Sequence, residues 1–248
     1  MIGTPRVHHR LTDSTSQRAK ELADRGAPHG TLVTATEQTA GRGRHGRSWV
    51  APAGSAVLMS LVVRELGEST PLLPLATAVA VCEACESLAP VRCEIKWPND
   101  VWIDRRKACG ILVEGRPAAG WAVVGVGLNV STEPDAFPPE LRDTATSLVA
   151  ASRAAAGSAS GGPPPAALDV EAVLAELLLA LDRRLADPPA DAIAAWRARD
   201  ALRGERIRWD GGEGVAAGID DAGSLLVDTD SGRLALGAGE VHLGRVVR

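Results

Sequence analysis

Three glycines and three arginines alternate between Gly41 and Arg47, within a polar stretch that covers residues 38–49. Glycine supplies backbone freedom and lets a ligand approach closely, and arginine supplies permanent charge with forked hydrogen-bond donors. This combination predicts a mobile loop that wraps around an anion. Apolar stretches at residues 31–35 and 56–63 flank the loop. We therefore expect the loop to connect two strands.

The same residues spell G-x-G-x-x-G from Gly41 to Gly46, a pattern of dinucleotide sites when a strand leads in and a helix leads out. Here Pro52 and Gly54 follow and stop a helix, and the next apolar run is typical of a strand. A Rossmann loop also binds pyrophosphate through backbone N–H groups and has little use for three arginines. A solvated basic surface loop is the other interpretation, and the loop alone does not decide the function.

Polar residues at other turns are further candidates for chemistry. Ser14 and Thr15 stand where a strand gives way to a helix, and they either cap that helix or bind a polar ligand. Asp100 ends a Trp-Pro-Asn-Asp turn, where it either shapes the turn or acts as a carboxylate. Gly125 and Gly127 interrupt an apolar strand, which predicts close approach of a ligand or another backbone.

The composition excludes several classes of function. The chain has 248 residues, of which 45% are hydrophobic and only 3% aromatic, so a sizeable core must consist of Ala, Val and Leu. The net charge of -4 argues against general nucleic-acid binding. No apolar run predicts a membrane span, and residues 1–9 lack the apolar segment of a signal peptide. We expect a cytoplasmic protein that binds neither DNA nor a membrane.

The four cysteines do not predict a metal or redox site. Cys82 and Cys85 form C-x-x-C, but inside a helical pattern and without a second pair at zinc spacing. A redox motif of this kind stands at a strand-to-helix turn. We expect two buried thiols on a helix.

The order of elements predicts an α+β domain followed by a small all-β unit. Strands are expected at residues 7–11, 31–37, 56–63, 108–114 and 121–129, and two short strands are expected on either side of the Trp-Pro-Asn-Asp turn within residues 92–104. Helices are expected at 17–25, 71–88, 169–186 and 190–202. Short strands with tight turns follow residue 203 and predict a barrel the size of an SH3 module. We expect a catalytic domain at residues 1–202, with a flexible insertion at about 150–168, and a barrel domain at 203–248.

Several motifs stand in one order along the chain: Asp13-Ser14-Thr15, the loop of residues 38–49, Lys96-Trp97-Pro98-Asn99-Asp100, Arg106-Lys107 with Gly110-Ile111-Leu112-Val113-Glu114, and Gly125-Val126-Gly127-Leu128-Asn129. In that order and spacing they resemble the biotin protein ligases, over nearly the whole chain. The resemblance implies a class II synthetase-like domain with a mixed or antiparallel sheet flanked by helices, followed by an SH3-like β-barrel. Because the motifs begin by Val7, it implies the short type without an N-terminal DNA-binding domain.

The resemblance also implies the reaction. Such a ligase joins biotin and ATP to biotinyl-5′-AMP and pyrophosphate, and then transfers biotin to one lysine of a biotin carboxyl carrier protein domain of an acyl-CoA carboxylase. The first step brings the biotin carboxylate up to the α-phosphate, so cations must offset the repulsion between two anions. The second step needs a neutral amine, and a nearby carboxylate helps to remove its proton.

The resemblance implies roles for particular residues. The residues implied in catalysis are Lys107, Arg42, Arg44 and Asp100. The residues implied in biotin binding are Ser14, Thr15, Gln38, Gly41, Arg42, Lys107 and Gly110. The residues implied in nucleotide binding are Arg42, Arg44, Arg47, Trp49, Asn99, Lys107 and Asn129. Mg²⁺ is expected to accompany ATP, and the sequence indicates no particular metal ligand. Trp97 is expected in the core.

The chain departs from the family pattern at several positions. Ser16 stands where the family often has Asn, so the local contact or cap differs. Where some members stack an aromatic residue on adenine, the loop offers only Phe137, and Ala145-Thr146 stand near the expected place. Ala108 and Cys109 replace commoner aliphatic residues before Gly110 and are expected to line the wall of the site.

Two other functions compete with this one. Lipoate ligases and octanoyl transferases share the catalytic fold, but generally lack the Gly/Arg loop in combination with Lys-Trp-Pro-Asn-Asp. A binding module that holds biotin or adenylate as a signal is the alternative outside the enzymes, and Lys107 and Asp100 argue against it. The family resemblance allows a monomer or a ligand-linked homodimer.

Overall fold

Seven strands form one sheet in the computed structural model of this protein, which describes residues 2–64, 66–67, 70–158, 168–237 and 239–244. The strands are β1 (Arg6–Thr12), β2 (Leu32–Gln38), β3 (Ala56–Val63), β4 (Cys93–Lys96), β5 (Asp100–Ile103), β6 (Arg106–Arg116) and β7 (Trp121–Asn129). Their spatial order is β1-β2-β3-β7-β6-β5-β4. Strands β1 and β2 are parallel, and all other neighbours are antiparallel. The mixed sheet confirms the predicted fold class.

Helices cover the sheet. They are α1 (Thr15–Asp24), α2 (Leu73–Leu88), α3 (Leu148–Ser158), α4 (Val170–Arg184) and α5 (Pro189–Arg197). Leu75, Val79 and Cys82 of α2 are buried at three- and four-residue steps, and most other side chains of this helix are buried too. Helix α2 packs against α4, α5 and the sheet. It is therefore the central helix of the core.

The stretch Thr70–Leu88, which includes α2, is long and apolar enough to cross a membrane by length and composition alone. Its mean hydropathy over an 18-residue window is 1.3, whereas we expected no apolar run long and uninterrupted enough to span a membrane. Within the structure, 67% of the tested window is already buried against other parts of the protein. Its apolar character is accounted for by core packing.

The expected flexible insertion at residues 150–168 is wrong over its first part. Leu148–Ser158 forms the helix α3, and Leu148, Ala151 and Ser152 are buried. Alanine has the highest intrinsic helix propensity, and it dominates this segment. Residues 159–167 of the expected insertion lie outside the described residues.

A second sheet of five strands follows the helices. Its strands are β8 (Arg206–Trp209), β9 (Gly212–Ile219), β10 (Leu225–Thr229), β11 (Gly232–Leu236) and β12 (His242–Leu243). The order β11-β10-β9-β8-β12 is antiparallel throughout and is consistent with the predicted SH3-like fold. The indole of Trp97 donates a hydrogen bond of 3.0 Å to the Gly223 carbonyl, which links this sheet to the first.

The core contains few aromatic residues, as the composition predicted. Trp97 and Trp196 are its largest fully buried side chains, and the rest is mainly Ala, Val, Leu and Ile. Trp97 is 2% exposed, so its assignment to the core is confirmed. Cys82 and Cys85 are buried on α2, as expected. Among the described residues, no group of three or more His, Cys, Asp or Glu side chains is arranged to hold a metal ion.

Candidate active site

The Gly/Arg loop connects β2 to β3 and folds into a small hairpin of its own. The Gly43 amide donates to the Arg47 carbonyl at 2.7 Å, and the Trp49 amide donates to the Gly41 carbonyl at 2.9 Å. The chain reverses at His45, which has a positive φ of 54°. Because the loop runs into an antiparallel strand and not into a helix, the Rossmann interpretation of its glycines is wrong.

Trp49 lies in a cradle of glycines on β6 and β7. A Cβ atom on Gly127 would lie 2.4 Å from Trp49 Cε2, and one on Gly110 would lie 2.9 Å from Trp49 Cζ3. Any side chain at Gly127 would therefore displace the indole. A Cβ atom on Gly125 would lie 2.7 Å from the Ser16 hydroxyl. The prediction that Gly125 and Gly127 mark close approach is confirmed.

A cavity of about 470 Å³ lies between the Gly/Arg loop and the sheet. It brings together all the sequence-predicted site residues except Gly41. These are Ser14, Thr15, Gln38, Arg42, Arg44, Arg47, Trp49, Asn99, Asp100, Lys107, Gly110 and Asn129. Gly41 does not line the cavity, because it lies against the Trp49 carbonyl at the base of the loop.

One end of the cavity is built on a chain of buried hydroxyl groups. Ser14 occupies the N-cap position of α1 without a capping hydrogen bond from its side chain. The Thr15 hydroxyl and amide both donate to the Gln38 side-chain oxygen, at 3.1 and 2.7 Å. The Ser60 hydroxyl donates to the Thr15 hydroxyl at 2.9 Å, and Ser16 lies 3.1 Å from Ser60. Ser16 thus supports Thr15 through Ser60.

This chain of hydrogen bonds has a direction. The Thr15 hydroxyl donates to Gln38 and accepts from Ser60, so one lone pair of its oxygen is left to accept a hydrogen bond from a ligand. The Gln38 amide oxygen is occupied by Thr15, so its NH₂ group is left to donate. This end of the cavity therefore offers one acceptor and one donor side by side, together with the apolar Trp49 and Val126.

A second part of the cavity, on the far side of Trp49 from Gln38 in the strand order, is cationic. Lys107 of β6 lies 2.7 Å from the Asp100 carboxylate and 5.7 Å from the centre of the Trp49 ring. The Lys107 side chain is 33% exposed and Asp100 is 18% exposed, so the pair is reachable from the cavity. Antiparallel pairing places Asp100 opposite both Gly110 of β6 and Lys96 of β4.

The three arginines of the loop have different partners. Arg42 lies 3.1 Å from Glu114, which also pairs with Lys20. The Arg47 guanidinium lies 2.7 Å from the carboxylate of Glu240, which precedes β12. The Arg44 guanidinium donates to the Asn99 side chain at 3.2 Å, and burial lowers the pKa of Arg44 from its ordinary value. Arg44 is therefore the loop arginine without a carboxylate partner among the described residues.

Two asparagines are held by main-chain carbonyls. The Asn99 side-chain amide donates to the Ile111 carbonyl at 2.7 Å. The Asn129 amide donates to the Thr146 carbonyl at 3.0 Å, and the Asn129 side-chain oxygen is buried without a hydrogen-bond partner among the described residues. A buried oxygen of this kind can accept a hydrogen bond from a ligand.

The departures from the family pattern divide between the cavity and the core. Phe137 and Ala145 line the cavity, and Ala145 pairs with the Lys107 backbone. Ala108 and Cys109 do not line the cavity, so that expectation is wrong. Both lie fully buried in the core, where burial raises the pKa of the Cys109 thiol above its ordinary value.

Sequence reasoning missed three residues. Ser60 supports Thr15, Glu114 pairs with Arg42, and Lys96 lines the cavity. Lys96 carried a signal, since it directly precedes the Trp-Pro-Asn-Asp turn on a strand with alternating burial. Glu114 ends the Gly110-Ile111-Leu112-Val113-Glu114 motif, but its partner Arg42 lies far away in the chain. Ser60 depends on a contact with the distant Thr15 and gave no signal.

Known proteins match this chain over nearly its full length. The sequence model of the Biotin/lipoate A/B protein ligase family matches residues 8–131, and that of the Biotin protein ligase C terminal domain matches residues 210–244. The bifunctional ligase/repressor BirA of Bacillus subtilis is 36% identical and covers 98% of this chain and 75% of its own length. The biotin acetyl-CoA-carboxylase ligase of Paracoccus denitrificans is 36% identical, covering 94% of this chain and 98% of its own.

The fold agrees with these matches. The biotin protein ligase from Aquifex aeolicus in complex with biotin and ATP has a TM-score of 0.80 and 27% identity, covering 98% of this chain and 99% of its own. The match includes the second sheet as well as the first. Sequence and fold together show that this chain is a ligase and belongs to the biotin protein ligases.

Proposed function

We propose that this chain activates biotin with ATP to biotinyl-5′-AMP and then transfers biotin to a lysine of a biotin carboxyl carrier protein domain of an acyl-CoA carboxylase. The observation that carries the proposal is one cavity with two chemically different ends. Thr15 and Gln38 offer a paired acceptor and donor in one part of it, and Lys107 of β6 lines the same cavity as Arg42 and Arg44. A ureido ring and a phosphate chain need these two surroundings.

In the first step the biotin carboxylate attacks the α-phosphorus of ATP, and pyrophosphate leaves. Both reactants are anions, so Lys107, Arg42 and Arg44 are assigned to offset their repulsion. Lys107 makes a point contact, and the arginine forks suit phosphate oxygens. Lys107 lies 2.7 Å from the Asp100 carboxylate, so the side chain is oriented before substrates arrive.

Biotin binding is assigned to the hydroxyl end of the cavity. The ureido ring presents N–H donors and a carbonyl acceptor, which complement the Thr15 oxygen and the Gln38 amide. Ser14 and Gly110 also line the cavity, and Gly110 lets the indole of Trp49 approach. Gly41 is assigned a place at the base of the Gly/Arg loop and makes no direct contact with biotin in this assignment.

Nucleotide binding is assigned to the loop and the ends of β5 and β7. The unpartnered Asn129 oxygen is placed to accept from the base or ribose. Trp49, Asn99 and Arg47 are assigned to the rest of the nucleotide, beside Arg44 and Lys107. The apolar Phe137 lines the cavity and supplies the only aromatic side chain of its loop.

The second step needs the acceptor lysine as a neutral amine. With a pKa of about 10.4, only about one free lysine in a few thousand is neutral at pH 7. Asp100 is assigned to take the proton or hold the ammonium, as the carboxylate that lines the cavity. The amine then attacks the acyl carbon, and AMP leaves with the electrons of the broken C–O bond.

Mg²⁺ is assigned to accompany ATP. The described residues contain no cluster of carboxylates or imidazoles that would hold a metal by themselves. They fit an ion that is carried mainly by phosphate oxygens, which is how Mg²⁺ usually binds in nucleotide sites. When bound, the ion supplies further neutralisation of phosphate charge.

We propose a domain boundary near residue 203, between α5 and β8, and a monomer or a ligand-linked homodimer. Strand β1 lies at an edge of the large sheet and is largely exposed, so this edge is free to pair with another chain. Sedimentation with and without biotinyl-5′-AMP measures the oligomeric state. Limited proteolysis near residue 203 tests the boundary.

The proposed function is tested with an apo biotin carboxyl carrier domain as the acceptor. The enzyme, ATP and the carrier are incubated with biotin, lipoate or octanoate, and the intact mass of the carrier is measured. The proposal predicts a single addition with biotin alone, lost when the acceptor lysine is replaced by arginine. Addition of lipoate or octanoate instead would assign the chain to the sister activities. Binding of biotin without any addition would indicate a binding module.

A further inference from the structure

Lys96 is a cavity-lining cation at the end of β4 that has no role in the assignments above. Along this short strand Cys93 and Ile95 are buried in the core, and Lys96 lies on the opposite, cavity-facing side. The Lys96 ammonium lies 5.5 Å from the centre of the Trp102 ring, which also lines the cavity. The lysine is therefore placed to meet whatever the cavity binds.

Most cations of the cavity are neutralised by a carboxylate of the protein. The pairs are Arg42 with Glu114, Arg47 with Glu240, Arg105 with Glu205, and Lys107 with Asp100. Lys96 and Arg44 have no carboxylate within ion-pair distance among the described residues, and Arg44 is bonded to a neutral asparagine. The cavity thus holds two positive charges without a protein counter-ion.

A largely buried, unpaired ammonium is unfavourable, because it loses hydration that the protein does not replace. Burial lowers the pKa of Lys96, while the more distant carboxylates of Asp100 and Glu240 act in the opposite direction. The contact with Trp102 is a weaker compensation than a carboxylate. The geometry around Lys96 therefore indicates an anion that enters with a ligand.

The order of the strands indicates which part of the ligand this anion is. Gln38 ends β2, and the sheet then continues through β3, β7, β6 and β5 to β4. The ureido group is assigned to the Gln38 end, and Lys107 of β6 meets the carboxylate and the α-phosphate farther along. Strand β4, which carries Lys96, lies beyond β6 in the same direction, so on these assignments the β- and γ-phosphates of ATP are the anions that reach Lys96.

We propose that Lys96 binds the β- and γ-phosphates of ATP and stabilises pyrophosphate as it leaves. This inference rests on the proposed function. In the step, a biotin carboxylate oxygen forms a bond to the α-phosphorus, and the bond from that phosphorus to the bridging oxygen breaks. The bonding electrons leave with pyrophosphate, so negative charge grows on the atoms that Lys96 faces. The Lys96 ammonium offsets that charge without losing its proton.

The test compares the two half-reactions in the full-length protein. Lys96→Met keeps an unbranched side chain of similar length and removes its charge. We expect the KM for ATP in adenylate formation, and the inhibition constant of added inorganic pyrophosphate, to rise roughly ten- to hundredfold. Transfer of biotin from preformed biotinyl-5′-AMP is expected to stay within about twofold of wild type, because biotinyl-5′-AMP has no β- or γ-phosphate.

Two further variants control the test. Lys96→Arg keeps the charge and is expected to restore most of the ATP affinity. Arg92→Met removes a positive charge from an exposed position outside the cavity, before the same strand, and is expected to change neither constant. A rise in the KM for biotin alone would instead place the biotin carboxylate at Lys96 and overturn the proposal.

Other outcomes also overturn it. Equal loss of both half-reactions in Lys96→Met would mean that the lysine supports the fold of the site and not the leaving group. Unchanged ATP and pyrophosphate constants, in a wild-type enzyme that does form adenylate, would remove the role from Lys96 and leave the proposed function intact. Absence of adenylate formation by the wild type would contradict the proposed function itself.

Discussion

Replacing Gly127 by alanine should open the Gly/Arg loop. The added Cβ would lie 2.4 Å from Trp49 Cε2 and 2.7 Å from Trp49 Nε1, distances that no packed side chain shows. Strand β7 pairs on both sides, so its backbone cannot give way, whereas Trp49 sits on a loop. We therefore expect the indole to leave its cradle. Overpacking of this kind costs about 1–3 kcal/mol, which corresponds to a roughly 5- to 150-fold shift towards the open loop.

Trypsin measures this shift directly, because the loop carries Arg42, Arg44 and Arg47. We expect biotin with ATP to protect the wild-type loop from cleavage, and Gly127→Ala to be cut faster by a factor within that range. Gly115→Ala on the neighbouring β6 is the matched control, since its Cβ would meet nothing closer than 3.5 Å. Adenylate released into solution, measured as biotinylation of a bystander protein, should rise in Gly127→Ala and not in Gly115→Ala.

One result would refute this reasoning. If Gly127→Ala were cleaved as slowly as the wild type in the presence of biotin and ATP, and retained its adenylate equally well, Trp49 would not be the contact that closes the loop. Ligand-independent cleavage in both proteins would contradict loop closure altogether.

Three further predictions concern the cavity and its rim. Asp100→Asn should slow transfer from preformed biotinyl-5′-AMP by about a hundredfold or more, because the carboxylate then no longer takes the proton of the amine. Adenylate formation should fall less, because in that step Asp100 acts only by orienting Lys107. A larger loss in adenylate formation than in transfer, in single-turnover assays of the two steps, would contradict the role. Ser60→Ala removes a buried hydrogen-bond donor to Thr15 and should raise the KM for biotin by about fivefold, a cost of about 1 kcal/mol. Ser152→Ala, at an equally buried position in α3, should leave the KM for biotin unchanged. Equal effects of the two substitutions would show that Ser60 contributes only to stability. Glu240→Gln breaks the partly exposed ion pair with Arg47 of the Gly/Arg loop. Because such pairs contribute little, the rate of trypsin cleavage should rise by less than about fivefold and the melting temperature should hardly change. A larger fall in Tm would mean that the pair supports the fold.

The strands and the position of the Gly/Arg loop could be predicted because they depend on short-range patterns. Residues 56–63 read as a continuous apolar strand and form β3 with every side chain buried. The Trp-Pro-Asn-Asp turn separates β4 from β5, as its turn residues indicated. The glycines at positions 125 and 127 predicted close approach, although not that the neighbour of Gly127 is Trp49.

Features that depend on long-range packing could not be predicted. The ion pair of Arg47 with Glu240 joins residues on opposite parts of the chain, and nothing near either residue indicates the other. Helix α3 was not predicted because its small residues show no apolar periodicity. Its side chains are buried by packing against other parts of the fold, which the local sequence does not show. Lys96 is left without a carboxylate because the nearby carboxylates form ion pairs with other cations, as Asp100 does with Lys107. The sequence does not specify which cation pairs with which carboxylate.

Exchange of labelled pyrophosphate into ATP tests the central claim most directly, because it requires reversible attack of a carboxylate on the α-phosphorus and nothing else. The account predicts exchange that depends on biotin, is absent with lipoate or octanoate, and falls at least about a hundredfold in Lys107→Ala. Absence of exchange with biotin, from a protein that still binds biotin, would contradict it: the cavity would then be a binding site, and the roles given to Lys107, Arg42 and Arg44 would be wrong.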